Sequence, residues 1–102
     1  MINYCIQCNM TAVTINKSHI NNLANFFKNR INGMVQSCAP SILKENDYPI
    51  VNDRLLINVV ITVEEEIVNK EEIIKYLTKE LKEYFDNQNI ICNSPIVSIY
   101  KI

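Results

Sequence analysis

Four cysteines, one histidine and a run of glutamates are the side chains of this 102-residue chain whose types lend themselves to chemistry. Cys5 and Cys8 form Cys-Ile-Gln-Cys, and Cys38 and Cys92 would complete a four-thiolate zinc set. Two thiolates at that spacing chelate zinc when the chain between them turns sharply. Ile-Gln is a poor tight turn, and in an extended chain the two cysteines point to opposite faces. Cys38 and Cys92 lie far off and form no second close pair. A redox Cys-x-x-Cys sits where a strand meets a helix N-terminus that lowers the thiol pKa, which this segment does not resemble. Separate buried or half-buried thiols are expected, with no metal or other cofactor. The start of the chain lacks a basic region followed by an apolar one, so neither a signal peptide nor a disulfide framework is expected.

His19 falls at the start of a helical pattern, and nothing local supplies the carboxylate or thiol a general base would need. An exposed or capping role is the simpler reading. Glu64, Glu65 and Glu66, followed by Glu71 and Glu72, are the densest acidic cluster. They would hold a divalent cation only if another carboxylate converged on them. A solvated strand end leading into a helix cap explains them without one. Asp47 and Asp53 flank turns and read as structural. There is no Gly-rich phosphate loop, nucleophile elbow or carboxylate pair at recognisable spacing.

The elements that must position these residues are organised around 54–64. Leu55, Ile57, Val59, Ile61 and Val63 occupy every odd position, opposite Leu56, Asn58, Val60, Thr62 and Glu64. That alternation predicts a central strand with one face fully buried and the other partly covered. Residues 2–15 begin with Ile2, Tyr4, Ile6 and Cys8 on one parity, which shifts to Val13 and Ile15 after Met10. The shift predicts a bulge or a tight turn near 9–11. Ile20, Leu23, Ala24, Phe27, Ile31 and Met34 form a helical stripe that starts at an Asn16 or Ser18 cap and stops near Gly33. The second strand comes from 34–43, interrupted by Pro40, or from 48–51. Residues 69–86 read as a second helix with an Asn69 cap, a reciprocal Glu and a buried face of Ile73, Ile74, Leu77, Leu81, Tyr84 and Phe85. The chain closes on a strand within 90–102, with Ile91, Val97 and Ile99 as candidate core residues.

The order strand, helix, strand, strand, helix, strand predicts a single α+β domain. Its layers are a mainly antiparallel four-stranded sheet and two helices on one face, the ferredoxin-like split βαβ arrangement. A second α+β sandwich, with 2–15 folded as a hairpin, competes with it.

Composition bounds the function. A hydrophobic fraction of 48% argues against disorder, and no apolar run reaches the roughly 20 residues that span a bilayer. No membrane association is expected, and the location expected is the cytoplasm. Net charge of −1 supplies no bulk positive field for nucleic acid. The abundance of Asn and Ile suits an AT-rich genome, viral or mobile-element in flavour, and carries no mechanism. The expected role is that of a non-catalytic interaction protein. It would form a homodimer or bind a protein partner through the uncovered sheet face, with Leu56, Val60, Tyr4 and Tyr100 as its contact residues. A nucleic-acid module is the second reading. It would use Tyr4 and Tyr100 with Arg54 and Lys101, or else Lys17, Lys28 and Arg30 of the first helix. A small enzyme with residues scattered in sequence is the third.

Overall fold

Strict alternation from Leu55 to Val63 makes one strand the spine of the sheet, and the computed structural model places it there as β3 (Ile50–Val63). The backbone is described for residues 1–47 and 50–102, and the side chains for 1–43 and 53–102. The other elements are β1 (Ile2–Ala12), α1 (Lys17–Ile20), α2 (Leu23–Arg30), β2 (Met34–Asp47), α3 (Lys70–Asp86) and β4 (Ile96–Lys101). The four strands form one antiparallel sheet in the order β2-β3-β1-β4, an α+β architecture compatible with the split βαβ arrangement.

Both central strands bury one parity. Tyr4, Ile6, Cys8, Met10 and Ala12 of β1 and Leu55, Ile57, Val59, Ile61 and Val63 of β3 face the helices. Leu23, Phe26 and Phe27 of α2 meet them together with Leu77, Leu81 and Phe85 of α3. Phe27, Phe26, Tyr84 and Phe85 form a chain of rings with successive centroids 5.0, 5.0 and 5.3 Å apart, edge to face within each helix and tilted at 57° where Phe26 meets Tyr84 between them. Arg30 stacks its guanidinium over the Phe26 ring at 4.0 Å and donates to the Phe26 carbonyl, closing the outer end of this aromatic layer.

Several expectations are corrected. β1 is a single strand in unbroken register with β3, with no bulge or turn near 9–11. The change of parity marks the end of the strand: Val13 is exposed, and Ile15 returns to the core after the chain has turned. The buried Asp53 carboxylate holds that turn by accepting the Ile15 N–H at 2.7 Å. The irregularity lies instead in β2, between Val35 and Ser37.

The first helix is two pieces, broken at Asn21–Asn22, where two poor helix formers stand together. Asn16 caps it by accepting the Ser18 N–H at 3.0 Å, and His19 Nδ1 accepts the Asn16 N–H at 3.1 Å, so His19 is a capping residue. Gly33 does not stop the helix, which has already ended at Arg30. A Cβ on Gly33 would sit 2.9 Å from Val63 Cγ1 and 3.1 Å from the Thr62 carbonyl oxygen, so glycine is required here for close approach.

Strand β2 runs from Met34 through Pro40 to Asp47, which settles the choice of second strand. Of the alternative 48–51, Tyr48 and Pro49 lie outside the described residues, and Ile50 and Val51 begin β3. Asn69 occupies the N-cap position of α3 without a side-chain cap hydrogen bond. At the C-terminal end Asn89 takes φ 60°, a left-handed residue beyond the helix stop that Asn tolerates well. The chain direction set there buries Ile90, and Ile91, expected in the core, is 76% exposed.

Candidate protein-interaction face

Helices α2 and α3 lie on one side of the sheet, so among the described residues the other side carries only the sheet's own side chains. The pairing register arranges them in rows across the strands β2, β3, β1 and β4. The middle row is Ala39, Asn58, Gln7 and Ser98. On one side of it stand Ser37, Val60, Cys5 and Tyr100, and on the other Ser41, Leu56, Asn9 and Ile96. Beyond these lie Met34, Thr62 and Asn3 at one end and Leu43, Arg54 and Thr11 at the other.

The face is apolar at its flanks and amide-rich at its centre. Ile96 is 74% exposed and Tyr100 44%, while Leu56 and Val60 are half-buried between neighbouring side chains. Cys5 is only 7% exposed, because Val60 and Tyr100 flank it in the ladder. The Tyr100 hydroxyl is raised from its ordinary pKa, first by its hydrogen bond with the Cys5 thiol, so it stays protonated and neutral near pH 7. Thr62 Oγ1 accepts from Gln36 Nε2 at 3.1 Å and donates to Asn3 Oδ1 at 2.7 Å, which orders the polar end of the face. None of the residues in the rows from Met34–Thr62–Asn3 to Ser41–Leu56–Asn9–Ile96 is an Asp, Glu, Lys or Arg. In a chain with 21 such side chains, their absence from that area leaves a neutral face. Depletion of charge with apolar and aromatic residues retained is the composition of an interface core.

Of the four contact residues expected from sequence, Leu56, Val60 and Tyr100 lie on this face and Tyr4 does not. Tyr4 shares the parity of Ile6 and Cys8 and is fully buried against the helices. Its hydroxyl accepts the Ile67 N–H at 3.0 Å, and the Lys70 ammonium lies 5.7 Å from its ring centroid. Ile96, Cys5, Gln7 and Asn58 also belong to the face and are not among the contact residues expected from sequence. Cys5 is the register partner of Val60, Gln7 pairs with Asn58, and Ile96 pairs with Asn9, which is itself the partner of Leu56.

The cysteines are spread through the molecule. Cys5 lies on the open face and Cys8 on the core face, as alternation requires. Burial pushes the Cys8 thiol up to about 12, with Cys38 and Cys5 adding smaller effects. Burial also raises Cys38, and it raises Cys92 against the opposing pull of Lys82. Among the described residues no group of three or more His, Cys, Asp or Glu is placed to hold a metal ion. Glu64, Glu65, Glu66 and Glu72 line a shallow groove of about 780 Å³ beside the first turn of α3, and all four are exposed. Lys101 pairs with Glu66 at 3.4 Å.

The basic residues named for nucleic acid lie on α1, α2, β3 and β4. Arg30 is stacked on Phe26 beside Glu80, Lys17 and Lys28 sit on different helices, and Arg54 closes one end of the open face. Among the described residues no helix is long and apolar enough to cross a membrane. Comparison with known protein families and with curated protein sequences gives no match.

Proposed function

We propose that the protein is a non-catalytic interaction protein that self-associates through the uncovered sheet face. The observation that carries this reading is the neutrality of that face, combined with its exposed Ile96 and Tyr100 and half-buried Leu56 and Val60. A second copy suits such a face better than a charged partner does. Asn, Gln, Ser and Thr each both donate and accept, so a surface of them complements itself, whereas a surface of one charge repels its own copy. Four strands about 4.8 Å apart and eleven residues at about 3.3 Å each outline roughly 600 Å² per copy, allowing for the short β4. Two copies would then bury on the order of 1,200 Å², the lower end of the range for specific interfaces, so the dimer is reversible and concentration-dependent.

The test is the double substitution Leu56→Asp with Val60→Asp, compared with wild type by sedimentation velocity over a concentration series. Both positions are outside the helix-side core, so the fold is expected to survive, with a lowered unfolding midpoint from two half-buried carboxylates on a central strand. Association is expected to weaken by at least about tenfold, because each carboxylate would have to be desolvated between the sheets. Unchanged association of a folded variant would contradict the reading.

A further inference from the structure

The open face is close to a palindrome along each strand. About the middle row, β3 reads Val60, Asn58, Leu56 and β4 reads Tyr100, Ser98, Ile96, each a polar residue between two apolar ones. Strand β2 reads Ser37, Ala39, Ser41, with Met34 and Leu43 beyond at opposite ends. Strand β1 is the least symmetric, with Cys5, Gln7, Asn9 flanked by Asn3 and Thr11. A patch that is the same read in both directions is the surface a two-fold axis demands, since each residue must then suit the one the axis brings against it.

Building on the self-association proposed above, we infer that two copies pack face to face about a two-fold axis in the interface plane. The axis runs across the strands along the row Ala39, Asn58, Gln7, Ser98. Each strand then lies over its own counterpart, running the opposite way. Leu56 meets the partner's Val60, Ile96 meets the partner's Tyr100, and Leu43 meets the partner's Met34. The amides of Gln7 and Asn58 meet their own copies on the axis, where each offers a donor to the other's acceptor.

A second feature of the face fits the same axis. A depression of about 270 Å³ is lined by Gln7, Asn9, Leu56, Asn58, Ile96 and Ser98. It lies on one side of the middle row, and Tyr100, the one aromatic among the rows, stands on the other. Rotation about the row carries each Tyr100 over the partner's depression, so both holes are filled by the same operation. A two-fold axis along the strands fails on both counts. It would place Leu56 on the partner's Asn9 and Ile96 on the partner's Ser41, leaving apolar area against polar groups.

The deciding experiment is isotope-filtered NOE spectroscopy on wild-type protein, mixing ¹³C-labelled with unlabelled chains. Leu56 and Val60 lie about 13 Å apart on their own strand, so a contact between their methyls can arise only between copies. The expected result is intermolecular NOEs from Leu56 to Val60 methyls and from Ile96 methyls to the Tyr100 ring. NOEs that pair Leu56 with Asn9 and Val60 with Cys5 would overturn this axis and leave association through the face intact. Intermolecular NOEs only from residues outside the face, or none from a protein that tumbles as a monomer at every concentration, would overturn both.

Discussion

Tyr4 and Cys8 lie on the covered face of β1, one on each side of Ile6, and each makes a test possible at the scale of one side chain. The Tyr4 hydroxyl is the partner of the Ile67 N–H where the chain approaches α3. Tyr4→Phe leaves that amide without its acceptor and is expected to cost about 1 kcal/mol in chemical denaturation. Self-association should not change, because the ring faces away from the open side. For Cys8 the sign follows from its pKa. The folded state holds the thiol proton up to about 12, whereas the unfolded chain releases it near the ordinary value of 9.0. Between those values the folded state binds more protons than the unfolded one, so stability present below the lower value is lost as pH rises toward the higher. The isosteric substitution Cys8→Val should therefore flatten the fall in unfolding free energy across that window relative to wild type. At pH 8 the wild-type Cys8 should also resist alkylation until the protein is denatured, as intact mass after iodoacetamide would show.

At the scale of elements, the close contact between Gly33 and the end of β3 predicts that Gly33→Ala destabilises by roughly 1–3 kcal/mol. The reason is that the new Cβ meets a buried Val63 methyl and a backbone carbonyl, of which only the first can move. A thermal melt with retained far-UV signal would check it.

The elements legible in the sequence were those with one unambiguous buried stripe. Leu55 to Val63 alternate without a break because each odd side chain from Leu55 to Val63 is buried in the core. Helix α3 reads clearly because Leu77, Leu81 and Phe85 repeat at four-residue spacing. The break between α1 and α2 was hidden, since Ile20 and Leu23 keep helical spacing across Asn21–Asn22 while the backbone does not. The bulge was sought in β1, where an apolar shift merely marked the strand's end, and it lies in β2, where Gln36 is polar on either reading. Tyr4 suits an exposed stacking role by its aromatic character alone, whereas its parity with Ile6 and Cys8 puts it in the core. The open face was half visible: Leu56 and Val60 stand out on one strand, but their neighbours appear only once the register aligns four strands.

For the whole molecule, charge and shape pull in the same direction. Eight of the eleven acidic residues fall between the end of β3 and the end of α3, away from the middle of the open face. Association through a neutral face has no ion pair to screen, so the dimer constant should change little between low and high salt. A contact between the acidic groove and the basic side chains of a second copy would instead weaken steeply with salt. The measurement that bears most directly on self-association is native mass spectrometry of the unmodified protein across a dilution series. A species of twice 11.8 kDa that gives way to the monomer on dilution is the predicted result. A monomer at every concentration, up to the highest that stays in solution, would contradict it.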